Sequence, residues 1–385
     1  MTYAGGRRIL DADSHVMELG DFLDDYLSAD DRALLNRGLF EARRGVLDAA
    51  TAKAAARRSD EQAAAEADER LMRDKGWSAM GGWDPTERSH VLDLLGFDAQ
   101  LVFGTFGTLL YKVGSDLDLY VGTDAHNRAI ADFCAADPRL LAVANIPLSD
   151  PAQAALAAER AIAAGCAAIM VPSTAAGKLA PTHPDLDPFW DTLAQSDTPF
   201  VLHVGGGGRG INPAFHNNNM PVTDHLGGGE NIRSKDYLAI HHSPEVFLGA
   251  LILDGLFDRF PALRGGCIEQ GAAWVVSWLR HVDQAQKAFL RTEEPLSRLA
   301  MKPSEYVHKH LKFTPFPGEP VGWMLDECGP DLFMFSSDYP HPEGTTDPLG
   351  KFEAALGDAS EDDRQRFYAG NFEELMGGRL APVPA

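Results

Sequence analysis

Residues 140–172 read LLAVANIPLSDPAQAALAAERAIAAGCAAIMVP. An apolar run (140–147) is followed by a helical stretch and then by a second apolar run (167–172). This order is typical of two parallel β-strands joined by an α-helix. Because the same alternation continues through most of the chain, the sequence predicts an α/β fold with a parallel sheet.

Eight apolar runs have the length and composition of strands: residues 7–12, 99–104, 140–147, 167–172, 199–204, 264–269, 311–315 and 332–337. A (β/α)8 barrel contains eight such units, so we predict that residues 1–385 form a single TIM barrel. Residues 28–85 interrupt the alternation and are rich in Ala, Arg, Asp and Glu. They predict a helical insertion after the first strand.

Some helices can be placed by the residues at their ends. Residues 85–95 predict a helix before the second strand. Ser243 and Pro244 supply a capping hydroxyl and a proline for the first turn, which predicts a helix from Pro244 to about Phe257. A closing helix is predicted from Asp362 to Leu375.

The composition is that of a globular protein, with 45% hydrophobic and 23% charged residues. Its formal charge of −22 comes from 34 basic and 56 acidic residues. Nucleic acids and anionic lipids are bound mainly through Lys and Arg, so this charge disfavours both as partners. We therefore expect a small-molecule substrate.

The sequence contains four cysteines and no CxxC pair, which is typical of reduced thiols and not of a disulfide framework. It shows no basic N-terminal segment followed by an apolar run, and no run of about 18 apolar residues. We expect a cytoplasmic protein without a membrane span.

Acidic residues and histidines stand at the ends of several predicted strands. Asp13 and His15 follow strand one, His203 ends strand five, Glu269 ends strand six and Asp338 follows strand eight. A parallel barrel gathers the C-terminal ends of its strands at one mouth. Carboxylates and imidazoles bind zinc, manganese or iron, and such an ion can activate water. Taken singly, each residue has an alternative explanation as a turn, capping, ion-paired or core residue.

Other residues are candidates for acid–base chemistry or substrate binding. His241 and His242 precede the predicted helix cap and are candidate proton carriers; the alternative is a pair of surface histidines. Arg209 and Arg233 follow strand five and are candidate clamps for a substrate carboxylate, with solvated surface positions as the alternative.

Aromatic residues in the loops above the predicted mouth are candidates for the wall of an apolar pocket: Trp77, Trp83, Phe106 and Tyr111. Of these, Phe106 is our candidate substrate-binding residue. The alternative is that they pack the inserted helices onto the barrel. His341 lies three residues after Asp338 and is a candidate for orienting that carboxylate.

Several of these segments together resemble one known family: residues 11–15, His203, and residues 255–263, 269–274, 337–341 and 367–371. They are similar to the amidohydrolase-related proteins of the aminocarboxymuconate-semialdehyde decarboxylase type. The resemblance implies a metal-dependent TIM barrel and a homodimer. It also implies the metal ligands Asp13, His15, His203 and Asp338. Members of the family include non-oxidative decarboxylases and hydrolases.

The sequence departs from the decarboxylases of that family at two positions. Asp13 stands where they have His or Glu, and Glu269 stands where they have a histidine thought to handle protons. Residues 168–171 offer no lysine that could be carbamylated to bridge two metals. We therefore expect one divalent ion, with zinc ahead of manganese or iron. A second ion would require Glu269 as a ligand.

These departures favour a hydrolase. In that hypothesis a metal-activated water attacks the carbonyl carbon of an ester, thioester, lactone or amide. Glu269 or one of the histidines His241 and His242 would carry the proton, with Asp338 as a metal ligand beside them. The alternative is a metal-dependent non-oxidative decarboxylase of an aromatic or unsaturated acid. A third hypothesis is a barrel without catalysis that serves as a binding protein.

Overall fold

The structure is a computed structural model that describes residues 2–206, 211, 215 and 234–380. Within these ranges seven strands form one sheet in chain order, and each strand pairs in parallel with the next. The strands are β1 Leu10–Val16, β2 Ala99–Gly104, β3 Leu140–Asn145, β4 Ala168–Met170, β5 Phe200–His203, β6 Gly265–Ile268 and β7 Leu311–Phe313. The predicted α/β class with a parallel sheet is confirmed.

The predicted eighth strand is not present as a strand. Its backbone nevertheless bonds to both edges of the sheet, because Phe313 N in β7 donates to Leu332 O at 2.8 Å and Ala12 N in β1 donates to Phe335 O at 3.1 Å. The segment therefore lies between β7 and β1, as expected for a TIM-like arrangement. Regular pairing is interrupted because Phe335 N donates instead to Phe367 O, at 2.9 Å.

The first strand begins later than predicted, at Leu10 instead of residue 7. Arg7 and Arg8 lie outside the sheet because their side chains form ion pairs with Glu361 and Glu373. The strand continues through the acidic motif to Val16, so the candidate ligands are within it. Strand β2 has the predicted bounds. Strands β3 to β7 are shorter than predicted at one or both ends.

The α-helices of the described residues are α1 Gly38–Glu41, α2 Arg44–Ser59, α3 Glu61–Glu69, α4 Pro85–Leu95, α5 Asp116–Cys134, α6 Pro151–Ala163, α7 Asp187–Gln195, α8 Ser234–Ala239, α9 His242–Leu253, α10 Leu256–Arg259, α11 Ala273–Phe289, α12 Pro303–His310, α13 Val321–Cys328, α14 Pro348–Leu356, α15 Glu361–Gln365 and α16 Asn371–Met376. A π-helical turn, Arg366–Gly370, joins α15 to α16. Short 3-10 turns occupy Asp31–Leu34, Gly76–Ser78, Gly107–Leu110, Pro184–Leu186, Glu294–Arg298 and Gly377–Arg379. None of the helices described here has the length and apolarity to cross a membrane.

Helix α4 has the predicted bounds, because Asp84 accepts hydrogen bonds from the first turn and Gly96 ends the helix at φ 69°. The prediction for α9 was wrong at its start. Ser243 does not cap the helix, which already begins at His242; its hydroxyl donates to the carbonyl of Ser173 instead. The helix ends at Leu253, so the remainder of the predicted span forms the separate helix α10.

Residues 28–85 contain α1, α2 and α3, as the composition predicts, and they contact the chain near its acidic motifs. Phe40 packs on Phe106 with ring centroids 5.8 Å apart. Gly76 N donates to Pro340 O at 2.7 Å. The status of this segment as an insertion, and the division of the chain into a single domain, stay predictions. All four cysteines are buried and free, as expected.

Asp11 joins β1 to the segment beside it. Its carboxylate accepts hydrogen bonds from Ser337 N at 2.8 Å, Ser337 Oγ at 2.6 Å and Gln100 Nε2 at 2.7 Å. Burial raises the pKa of Asp11 to about 7, against the lowering effect of these donors. The side chain is fully buried, so these hydrogen bonds are shielded from bulk water.

We expect Asp11→Ala to lower the free energy of unfolding by about 3 kcal/mol, because several buried donors lose their acceptor. Asp11→Asn is the matched control. It keeps one acceptor oxygen, and Gln100 can turn its amide because Gln100 Oε1 has no hydrogen-bond partner. Urea denaturation followed by circular dichroism measures both variants. A loss below about 1 kcal/mol for Asp11→Ala would show that this carboxylate does not hold the segment in place.

Candidate metal centre

The structure brings Asp13, His15, His203 and Glu269 together. One potential ligand atom from each lies within 4.8 Å of all the others. Asp13 Oδ1 lies 3.2 Å from His15 Nε2 and 3.4 Å from His203 Nε2. Glu269 Oε2 lies 3.4 Å from the same nitrogen of His203. These side chains come from β1, the end of β5 and the residue after β6, so the predicted convergence of strand ends is observed.

A second group of potential ligands overlaps the first and consists of His15, Glu269, Asp338 and His341. Asp338 Oδ1 lies 3.7 Å from His15 Nε2 and 3.0 Å from His341 Nδ1. The rings of His15 and His341 stack with centroids 3.7 Å apart. Of the ligands implied by the family resemblance, Asp13 and His203 belong only to the first group and Asp338 only to the second. His15 and Glu269 belong to both groups.

Glu269 and Asp338 have the left-handed backbone conformation, with φ of 53° at each residue. This conformation costs roughly 1 to 3 kcal/mol for a residue that is not glycine. Hydrogen bonds hold it in place: Glu269 N donates to Thr314 Oγ1 at 2.9 Å, and Asp338 N donates to Asp13 O at 2.9 Å. Such strain is concentrated at functional sites, where it fixes the direction of a side chain.

The protonation states of the inner residues suit metal binding. His203 Nδ1 lies 3.0 Å from Val204 O, which can only accept, so Nδ1 donates to this carbonyl and Nε2 is directed at the carboxylates of Asp13 and Glu269. Burial and the neighbouring His341 lower the pKa of His15 to about 4, which keeps its imidazole neutral. Burial raises the pKa of Asp13, but His203 and His15 outweigh it and hold that pKa well below the usual range.

His341 is held on both sides. Thr105 Oγ1 donates to Val16 O at 2.8 Å, so it accepts from His341 Nε2 at 2.9 Å. Burial lowers the pKa of His341, but the Asp338 carboxylate outweighs burial and raises the pKa to about 9. The predicted contact between His341 and Asp338 is observed.

Buried polar atoms at this site lack hydrogen-bond partners. Among the described residues, these atoms include Asp13 Oδ2 and His15 Nδ1. A buried unpartnered polar atom costs about 1 to 3 kcal/mol, and more if it is charged. A cation bound among carboxylates and imidazoles would supply the missing partner. The donor set therefore fits one divalent metal ion of the zinc, manganese or iron type.

A cavity of about 410 Å³ opens above the cluster. His15, His203, Glu269 and His341 form part of its lining. Apolar side chains supply much of the rest: Phe106, Leu109, Leu119, Pro147, Met170, Pro172 and Val204. Thr105, Thr108 and Asn145 add polar groups. This combination of apolar walls and few polar groups is typical of a small-molecule site.

Not all of the predicted site residues lie at this cavity. Phe106 lines it, and Trp77 packs behind with its ring stacked on Phe106 at 5.3 Å. Trp83 and Tyr111 belong to the packing of the same region, so the alternative explanation holds for them. The role of Phe106 in substrate binding stays a prediction.

The histidines His241 and His242 lie at the start of α9. The ring of His241 stacks on Trp274 with centroids 5.7 Å apart, and burial together with His242 lowers the pKa of His241. Neither histidine is among the described residues that line the cavity or form the two ligand groups. Arg209 and Arg233 lie outside the described residues.

Sequence reasoning missed Thr105, Asn145 and Glu18 as residues that form or support the cavity. Thr105 and Asn145 could have been found from their positions, because each lies at or just after the end of a strand. Glu18 lies beyond β1 in an unremarkable stretch and gives no such signal.

The fold and sequence can be compared with known proteins. No curated protein sequence matches the chain. Similar solved structures include an amidohydrolase from Mycobacterium avium subsp. paratuberculosis, with 18% identity, a TM-score of 0.72, and coverage of 97% of this chain and 100% of the other. A 5-carboxyvanillate decarboxylase from Sphingomonas paucimobilis has 20% identity, a TM-score of 0.63, and coverage of 98% and 100%.

A dihydroxybenzoic acid decarboxylase from Polaromonas sp., solved with bound manganese and the inhibitor 2-nitroresorcinol, has 17% identity, a TM-score of 0.60, and coverage of 96% and 97%. These likenesses are in the fold. The sequence itself matches the family described as amidohydrolase over residues 11–377, which is nearly the whole chain. The protein therefore belongs to the amidohydrolase family of metal-dependent enzymes.

Proposed function

We propose that the protein is a metal-dependent, non-oxidative decarboxylase of an aromatic acid that carries a hydroxyl group beside its carboxylate. The observation that carries the proposal is the cluster of buried carboxylates and imidazoles at one side of a largely apolar cavity. Similar folds in decarboxylases of 5-carboxyvanillate and dihydroxybenzoic acid support it. Hydrolysis, which the sequence alone favoured, becomes the second candidate.

The cavity matches a small aromatic acid in shape and polarity. Its volume of about 410 Å³ lies within the usual range for small-molecule pockets and accommodates a single substituted ring. Phe106 and Met170 offer apolar surface for the ring, while the polar cluster is suited to the carboxylate end. Asn145 and Thr108 are available for a polar substituent on the ring.

A bound divalent ion would hold the substrate carboxylate and its neighbouring hydroxyl and withdraw charge from both. We propose Asp13, His15 and His203 as its ligands, with Asp338 as the fourth. The hydrogen bond from His203 Nδ1 to Val204 O fixes the ring so that Nε2 faces Asp13 and Glu269. His341 holds the Asp338 carboxylate from the other side at 3.0 Å.

Glu269 is the proposed proton carrier. Its side chain is 11% exposed, lies beside His203 at 3.4 Å and lines the cavity, so it can reach a bound ring. In its protonated form it would donate a proton to the ring carbon that bears the carboxylate. The bond between that carbon and the carboxylate then breaks, carbon dioxide leaves, and the hydroxyl-bearing ring regains its aromatic electrons. The overall reaction exchanges a carboxyl group for a hydrogen atom.

Manganese is the metal we propose first, because a decarboxylase of similar fold was solved with manganese bound. In addition, manganese binds carboxylate ligands as readily as zinc does. Zinc was the first expectation from the sequence, and the comparisons give it no specific support. The small-molecule substrate and the homodimer stay proposals.

Hydrolysis is the second candidate, and the observation in its favour is Glu269 itself. The carboxylate lies among the potential metal ligands, where it could take a proton from a water molecule that attacks a carbonyl carbon. The two reactions differ in their products, because hydrolysis consumes water whereas decarboxylation releases carbon dioxide.

We expect the manganese-loaded protein to convert 5-carboxyvanillate or 2,6-dihydroxybenzoate into the corresponding decarboxylated phenol. In heavy water the product should carry deuterium at the ring carbon that lost the carboxylate, because the enzyme delivers the replacing proton there. Carbon dioxide release and proton NMR of the product measure the two effects. Hydrolysis of aryl esters or thioesters without any carbon dioxide release from a panel of hydroxybenzoates would decide for the hydrolase.

Glu269→Gln should lower kcat about 100- to 10,000-fold while it leaves the manganese content close to that of the wild type, because the amide cannot transfer the proton. Glu327→Gln, which removes a charge from a surface pair with Arg280, is the control and should keep full activity. If Glu269→Gln retains wild-type kcat, Glu269 is not the proton carrier.

Purified protein should contain about one divalent metal ion per chain, measured by plasma mass spectrometry. His203→Ala and Asp13→Ala should lose most of this metal and the activity together, because each removes a ligand. His308→Ala is the control, since its ring pairs with Asp331 and does not belong to the ligand groups. Full activity in protein stripped of metal by a chelator would exclude both catalytic proposals.

A further inference from the structure

Glu18 is a fully buried carboxylate outside the proposed catalytic groups. Its Oε2 accepts hydrogen bonds from Thr105 N and Phe106 N, each at 3.1 Å. Its Oε1 accepts from Gly107 N at 3.4 Å and lies 3.0 Å from His126 Nε2. A single carboxylate thus binds three consecutive backbone amides of the loop that follows β2.

The loop bound by Glu18 is a wall of the cavity. Residues 105–109 all line it, and Phe106 contributes its largest apolar side chain. The backbone of Glu18 supports the same wall, because Trp77 Nε1 donates to Glu18 O at 3.0 Å while the Trp77 ring stacks on Phe106. Glu18 therefore holds both the loop and the side chain that packs behind it.

The same contact leads to the metal centre. Thr105, whose amide binds Glu18, accepts a hydrogen bond from His341 Nε2 at 2.9 Å. His341 in turn lies 3.0 Å from the Asp338 carboxylate and stacks on His15. Thr105, which Val16 O also holds, thus connects the loop bound by Glu18 to the His341 ring.

The glycine that ends β2 fits this arrangement. A Cβ atom on Gly104 would lie 2.5 Å from His126 Nε2 and 2.7 Å from Glu18 Oε1. Any side chain at this position would separate the pair from the loop. A buried polar pair of this kind is not needed for packing, since apolar residues of the same volume usually stabilise a core as well or better.

We propose that Glu18, oriented by His126, is a positioning residue that fixes the cavity wall at residues 105–107 and, through Thr105, the ring of His341. The functional part of this inference rests on the proposed decarboxylation in the same cavity. Glu18 touches neither substrate nor metal, so its effect on the reaction is exerted through the loop.

The first measurement is hydrogen–deuterium exchange of peptides that cover residues 104–110. Glu18→Ala should accelerate exchange there by about tenfold or more, because Phe106 N and Gly107 N lose the acceptor Glu18 while Thr105 N keeps only Val16 O. Glu18→Gln keeps one acceptor oxygen for Thr105 and Phe106 but loses the acceptor of Gly107 N, so its rise in exchange should be intermediate. Asp283→Asn is the matched control: Asp283 binds the amide and hydroxyl of Ser304, and neither residue is among those that line the cavity.

The second measurement is kinetic. With the manganese-loaded protein, Glu18→Ala should raise KM and lower kcat/KM about tenfold or more, because a displaced wall misplaces the ring. It should weaken binding of 2-nitroresorcinol in parallel, whereas Glu18→Gln should give values between those of Glu18→Ala and the wild type, and Asp283→Asn should leave them unchanged. If Glu18→Ala does not fold, Glu18→Gln takes its place in the test. Hydrogen–deuterium exchange and KM should then rise to intermediate values in Glu18→Gln and stay unchanged in Asp283→Asn.

Unchanged exchange at residues 104–110 in Glu18→Ala, or in Glu18→Gln if only that variant folds, would overturn the inference whatever the activity. Faster exchange with unchanged KM and inhibitor affinity would overturn its functional part. The exchange experiment does not depend on the reaction, so failure of the proposed decarboxylation would be recognised separately, by the absence of carbon dioxide release from the wild type.

Discussion

The concentration of buried negative charge at the cavity floor is the constraint on which the structure depends. Asp13, Glu269 and Asp338 converge there, and against the effect of burial the Asp338 carboxylate raises the pKa of His341 to about 9. Carboxylates removed from water are costly unless a positive charge compensates them. A divalent cation meets this requirement and can also bind one ring nitrogen of His15. The cluster therefore has the composition of a metal site, in which the cation would be supplied from solution.

Two further buried carboxylates stabilise the frame around that cluster, and they do so without a metal. Asp11 is surrounded by donors from Ser337 and Gln100, and Glu18 by the amides of the loop after β2. Each joins a strand to a segment of irregular backbone that regular sheet hydrogen bonds do not hold. Of the acidic residues on the first strand and just after it, Asp11 and Glu18 accept hydrogen bonds that hold this frame, whereas Asp13 belongs to the cluster suited to a metal ion.

The sequence was sufficient to predict the parallel α/β class and the convergence of Asp13 and His203, because strand alternation and strand ends are local patterns. It was not sufficient to predict the interruption of the eighth strand. There Phe335 N donates to the carbonyl of Phe367, a residue distant in sequence, instead of pairing with a neighbouring strand. Glu18 was missed for the same reason. Nothing in its neighbourhood marks it as functional, and its role arises only from contacts with a loop more than eighty residues away. Long-range hydrogen bonds are the information that local patterns omit.

The backbone conformation of Glu269 and Asp338 has a consequence for how the protein can change. Both side chains sit on left-handed turns, where glycine or asparagine is accommodated with less strain. Selection for thermal stability alone would therefore favour glycine or asparagine at these two positions. Such variants would be more stable but would lack the two carboxylates. Selection for the proposed reaction would oppose this change, because glycine and asparagine lack the carboxylate.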